Sequence, residues 1–190
     1  MERFFLQSII SAALNTFTLI IPNTVLKTIF DNIFLICLMI LFAAACSQSG
    51  DQRDFERQAF QLPEGFTQTN GRGEIVNDNV DPDDWRVAPF FQGLIQVDPA
   101  FPNPVMTNQQ LAIRVHLPFI ENITHLDVYV LRNLNDYNFL RRQTAMTLVD
   151  IILDPLDDIA QFSENPLGLY RIIIFDNNDN VITYGDIKID

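Results

Sequence analysis

From residue 87 to residue 190, apolar and polar positions alternate in short runs bounded by turn-forming residues. In QLAIRVHL, residues 110–117, Leu111, Ile113, Val115 and Leu117 fall on one face, and Ala112, Arg114 and His116 on the other. HLDVYVLR, residues 125–132, places Leu126, Val128 and Val130 inward in the same way. Further runs occupy residues 89–97, 147–154, 169–176 and 180–189, with a short FLRRQ ahead of residue 147. A period of two with many β-branched residues predicts strands with one face toward a core. Between the last two runs lies Asp176-Asn177-Asn178-Asp179-Asn180. Asn and Asp tolerate positive φ, so this stretch predicts a hairpin turn.

Six or seven such strands in about 100 residues, with no convincing helix between them, predict an all-β domain over residues 87–190. The size and rhythm are those of an immunoglobulin- or fibronectin-like antiparallel β-sandwich. Gly168-Leu169-Tyr170 opens the penultimate strand. A tyrosine there suits the corner at which its hydroxyl bonds back to the preceding backbone.

Upstream the pattern breaks down. Residues 46–86 are rich in Gly, Asn, Asp and Gln, with single scattered apolar residues and no sustained period. Residues 55–60 suit a helical turn or two at most. The segment reads as a flexible tether with an r.m.s. span of about 30–35 Å. Should it pack along the domain instead, Trp85, Phe90 and Phe91 are its docking points. Earlier still, residues 33–45 (IFLICLMILFAAA) carry no charge. Thirteen residues are too few to cross a hydrocarbon core as a helix, but they match the apolar core of a signal peptide. Residues 4–21 form a second uncharged run, broken from the first by Pro22-Asn23. Its Gln7, Ser8, Ser11, Asn15, Thr16 and Thr18 make it a poor span. A start at Val25 or Leu26 leaves a signal peptide of ordinary length, so residues 1–24 read as an over-extended start.

Charge narrows the partners. The chain carries a formal −12, and removing residues 1–45, with two acids and two bases, leaves that value unchanged. Such a surface repels phosphate backbones and anionic headgroups, which disfavours nucleic acid. The two cysteines, Cys37 and Cys46, both precede the folded domain, so no disulfide and no cysteine-based zinc site can hold it.

With Lys27 upstream, the apolar run ends in Ala43-Ala44-Ala45-Cys46 and then polar SQSGDQRD. This resembles a bacterial lipoprotein signal. The resemblance implies cleavage before Cys46, acylation of that cysteine, and residues 1–45 as the signal peptide; an uncleaved membrane anchor is the alternative. Residues 46–86 then comprise the lipidated cysteine and tether, and the implied location is the outer membrane, on its periplasmic or surface face. A second likeness covers residues 99–190. Phe101-Pro102-Asn103-Pro104, Gly168-Leu169-Tyr170-Arg171-Ile172 and a late Lys188 are similar to the C-terminal sorting domain of type IX secretion cargo in Bacteroidota. That likeness implies a shared sandwich or, alternatively, a sorting-type domain for secretion.

Reactive chemistry is sparse. His116 and His125 have neither HxH nor HxxxH spacing for zinc. There is no Gly-rich phosphate loop and no GxSxG. Asp176, Asn178 and Asn180 imitate the start of a calcium loop, but Val181 and Ile187 stand where glycine and glutamate are needed. Asp150, Asp154, Asp157 and Asp158 offer carboxylates without a pairing for acid–base work. The sequence therefore points to no enzyme, no cofactor and no metal. It predicts a non-enzymatic envelope lipoprotein, anchored in the membrane through Cys46, whose β-sandwich contacts other envelope proteins. The candidate surface is Phe101, Pro102, Asn103 and Pro104 together with the strand edges. The alternative is a glycan-binding sandwich using Tyr129, Tyr137 and Tyr184.

Overall fold

The computed structural model describes residues 50–118, 122–134, 136–161 and 163–190, together with Asn32, Ile33 and Ile36. The chain divides into two compact units, Met1–Gln48 and Ser49–Asp190. Of the first, the three described residues are helical. Cys46 and the alanines before it lie outside the described residues. Among the described residues no helix is long and apolar enough to cross a membrane.

The second unit is mostly β. Seven strands form two antiparallel sheets: β1 (Gln96–Val97), β2 (Leu111–His116), β3 (His125–Asn133), β4 (Asp136–Thr144), β5 (Leu148–Leu153), β6 (Gly168–Phe175) and β7 (Val181–Ile189). The three-stranded sheet runs β1-β2-β5 and the four-stranded sheet β4-β3-β6-β7. The alternation read from sequence is the burial pattern observed. Leu111, Ile113, Val115 and Leu117 are sealed, as are Leu126, Val128 and Val130, and one apolar cluster takes residues from both sheets. Each such side chain contributes about 1.5–3 kcal/mol by leaving water. The outer face of β2 stays polar, with Arg114 gripping Asp150 of β5 through Nε at 2.8 Å and Nη2 at 3.2 Å.

The two turn readings are found in the structure. Asp179 adopts φ 61° in the β6–β7 turn, and Asp176 accepts from the amides of Asn178 and Asn180 at 2.8 and 2.9 Å. The Tyr170 hydroxyl donates to the Pro166 carbonyl at 3.0 Å, tying β6 to the chain just before it.

Three expectations are corrected. Residues 89–97 are not one strand: Pro89–Phe91 is a 3-10 turn and only Gln96–Val97 pairs, because proline opens a tight turn and Gly93 then takes φ 76°. A π-helical turn, Pro155–Ile159, follows β5, and Asp154 caps it by accepting from the amides of Leu156 and Asp157.

The third correction concerns the tether. From Gly50 onward the segment packs against the strands. Helix α1 (Gly50–Ala59) buries Gln52, Phe55 and Ala59, positions spaced to share one helical face. Beyond it Thr67 and Thr69 are buried, and Trp85 is 4% exposed. Trp85 and Phe91 are docking points as expected, whereas Phe90 is exposed. The amides of Trp85 and Ala88 donate to the Tyr184 and Ile182 carbonyls, both at 2.8 Å. That lays the segment along the edge of β7. Val105 bridges Ile189 further along the same edge, leaving β4 as the opposite edge of this sheet.

Candidate functional site

The inner face of the four-stranded sheet carries Val128, Val130, Ile172 and Ile174. Alternation therefore turns Tyr129, Arg171, Ile173, Tyr184 and Asp186 to the opposite, outer face. A sheet face turned from the core is ordinarily wet and polar, but here part of it is covered by α1. Phe55 stacks on Tyr184 with ring centroids 5.0 Å apart. Arg171 ties helix and sheet together. Its guanidinium grips Asp186 at 2.6 and 2.7 Å, and its Nη1 donates to the Gln58 and Gln61 carbonyls at 2.8 and 3.0 Å. Those carbonyls lie at the helix C-terminus, where the backbone dipole favours a cation. Burial is the largest influence on the Arg171 charge and works against it. The hydrogen bond and charge of Asp186, with Tyr184 and Asp84 nearby, together outweigh it and hold the guanidinium further toward its charged form.

Just past the helix, Phe60 meets the β3–β4 hairpin. Its ring packs edge-on to Tyr137 at 5.6 Å and 70°, and lies 6.3 Å from Phe175. Tyr129 sits at the centre, 5.5 Å from Tyr137, 5.4 Å from Phe139 and 5.2 Å from Phe175. Sheet register makes this cluster: Tyr129 pairs directly with Phe139 across the ladder, and Leu131 with Tyr137. Direct and diagonal cross-strand neighbours are the ones whose rings touch. Burial pushes the Tyr129 hydroxyl above its ordinary pKa. Tyr137 and Phe139, each 52% exposed, present the cluster to solvent.

Beside this cluster lies a groove of about 450 Å³, lined by Glu56, Phe60, Tyr129, Tyr137, Phe175, Asp179 and Val181. Ligand sites span roughly 300–1,000 Å³ and are lined mainly by apolar and aromatic groups with a few polar ones. The lining offers ring faces, ring edges and two carboxylates. Glu56 accepts a hydrogen bond from Gln52 at 2.7 Å, and Asp179 stands exposed at the β6–β7 turn. Such a set can hold a ligand by stacking and charge.

Of the residues read as candidates from sequence, Tyr129 and Tyr137 belong to the groove. Tyr184 does not: it is 1% exposed beneath α1, its hydroxyl 2.8 Å from Arg86 and 3.2 Å from Gln58. Phe101, Pro102 and Pro104 are half-buried, with the Arg114 guanidinium over the Phe101 ring at 5.4 Å and both X-Pro bonds cis. Asn103 is withdrawn from any surface. It is fully buried, its amide donating to the Thr67 and Asp186 carbonyls and accepting from the Lys188 amide, so it joins three segments. Phe60, Phe139 and Phe175 were not singled out from sequence. The alternating Tyr137-Asn138-Phe139 held the signal for one of them, whereas Phe60 needed the helix to be placed.

Several of the remaining polar candidates have structural partners. Asp158 accepts from Arg141 at 2.7 Å and from the Asp154 amide at 2.8 Å. His116 lies 3.4 Å from Asp98, and the ring of His125 lies 3.0 Å from the Thr124 hydroxyl. Among the described residues no group of three or more His, Cys, Asp or Glu side chains is arranged to hold a metal ion. Comparison with known proteins gave no match: no protein-family model, no curated protein and no solved structure matches this chain.

Proposed function

We propose that the chain is a lipid-anchored protein of the bacterial cell envelope that displays a non-enzymatic β-sandwich binding module, and that the aromatic groove is its contact surface. The observation that carries the reading is the groove itself, with the half-exposed Tyr137 ring at its mouth, Phe139 exposed beside the same aromatic cluster, and an apolar floor. The sandwich reading draws support from the strand order, β1-β2-β5 facing β4-β3-β6-β7, from the shared apolar cluster, and from the bond between Tyr170 and Pro166. A fibronectin- or immunoglobulin-like sandwich with a tyrosine corner would account for that strand order and that bond. The lipid anchor rests on Ala43-Ala44-Ala45-Cys46 behind an uncharged run. Rings set at steep angles to one another, rather than lying side by side as a flat platform, favour a protein side chain over a flat sugar ring.

Two measurements test this. Intact mass spectrometry of the membrane-extracted protein is expected to find a chain beginning at Cys46 with added acyl mass; a lipid-free chain retaining earlier residues refutes the anchor. In-cell crosslinking of the full chain is then compared with that of a Tyr137→Ser, Phe139→Ser variant. Loss of crosslinked envelope proteins in the variant is expected, and an unchanged set refutes the groove as the contact surface. The glycan reading is favoured by one observation, the adjacency of Tyr129, Tyr137 and Phe139 on an open face. It requires soluble-glycan binding that disappears in the same variant.

A further inference from the structure

We infer that the groove receives a lysine or arginine side chain of a partner protein. The inference rests on the binding-module reading and adds the chemistry of the partner. Both charged groups in the lining, Glu56 and Asp179, are carboxylates, and no lysine or arginine is among the described residues that line it. The arginines around it are committed elsewhere. Arg142 grips Asp127 at 2.7 Å through both Nε and Nη2, and Arg171 grips Asp186. The carboxylates therefore face the groove without a basic residue in its wall to answer them.

The aromatic lining adds a second attraction. A ring face is negative at its centre, so a cation lying over Tyr or Phe is held by about 0.5–2 kcal/mol, more as water is excluded. Tyr137 offers such a face half exposed at the mouth, with Tyr129 and Phe175 deeper. A lysine or arginine also brings an apolar stem, which suits the walls while its head reaches the carboxylates. At long range the formal charge of −12 steers basic segments inward and anionic ones away. A neutral apolar anchor would use the rings but bring no cation to the two carboxylates, of which Glu56 has only the neutral Gln52 amide as donor. A basic side chain uses the whole lining.

The test pans the full detergent-extracted chain against a random linear peptide library, with phosphatidylcholine vesicles as a second probe. Selected peptides are expected to be enriched in lysine or arginine over the library, and their binding to weaken as salt rises. Tyr137→Leu keeps the apolar bulk but removes the ring, and is expected to weaken binding roughly threefold to thirtyfold. Glu56→Gln with Asp179→Asn removes the charge and is expected to abolish the preference for basic peptides. Asparagine tolerates the positive φ at position 179, so this variant keeps the turn. Neutral or acidic peptides, a preference that survives the carboxylate variant, or Tyr137-dependent binding of the vesicles instead of peptides each overturn the inference. If crosslinked partners are lost with Tyr137→Ser, Phe139→Ser but not with the carboxylate variant, the groove stands and the basic occupant falls. If neither variant loses them, the groove itself falls.

Discussion

Arg171 and Asp186 stand opposite each other in the middle of two apolar strands, turned by alternation to the outer face yet buried there. The pair is nearly sealed, with side-chain exposures of 7% and 1%, and every oxygen of the carboxylate is used. Removing one partner of such a pair strands a buried charge and costs roughly 3–5 kcal/mol. Arg171→Met is therefore expected to lower the free energy of urea unfolding by about that amount. It also frees the Gln58 and Gln61 carbonyls, so faster amide exchange at the end of α1 accompanies the loss. Gly185 is a second such position. A methyl group there would overlap the Trp85 indole, which lies flat against the glycine and is itself buried. Gly185→Ala is expected to destabilise by about 1–3 kcal/mol, the range of overpacked cores, and thermal unfolding checks it.

At the scale of elements, the strands were legible and the segment before them was not. β2 and β3 announce themselves because a buried residue recurs at every second position, whereas β6 and β7, buried on both faces over most of their length, read as near-continuous apolar runs. Helix α1 docks through Gln52, Phe55 and Ala59, and a glutamine and an alanine carry little hydropathy signal. Residues 60–86 follow no period at all. They are held by separate anchors: Thr67, whose amide donates to Asp84 at 2.6 Å; Thr69, whose hydroxyl donates to the Ala100 carbonyl at 2.6 Å; and Trp85. Such anchors leave no pattern in a composition that otherwise reads as coil. The consequence is testable by truncation. A chain beginning at Val87 exposes Tyr184, Arg171 and Asp186 and uncovers the edge of β7. It is expected to aggregate or to unfold at markedly lower temperature than a chain beginning at Ser49. Equal melting temperatures would mean that the segment adds nothing to the fold.

The molecule as a whole is acidic, and its carboxylates respond to pH in two opposite ways. Burial pushes Asp84 up to about 7, against amide bonds from Asp186 and Thr67 that pull it down. The folded state therefore holds a proton that the unfolded chain, with its ordinary value of 3.8, has released. That contribution is complete below about pH 4 and is lost as pH rises through about 7. Asp127 and Asp150 behave oppositely, since hydrogen bonds from Arg142 and Arg114 hold them below the usual carboxylate range. Their contribution is present above about pH 4 and is lost as acid protonates them. The urea midpoint is thus expected to be higher at pH 5 than at pH 8, and Asp84→Asn to flatten that slope. A midpoint that rises from pH 5 to pH 8 would contradict this assignment. Sequence by itself determined a count of six or seven strands, the inward faces of β2 and β3, the hairpin at Asp176–Asn180 and the corner tyrosine, because each is written in residues close together along the chain. Only the tertiary structure decided that Tyr184 is buried while Tyr137 is open, that Asn103 belongs to the interior, and that Phe60 closes the aromatic groove. Those outcomes depend on where one helix comes to rest on the outer face of a sheet. The contacts that place it join residues more than 100 positions apart, beyond the reach of any local pattern.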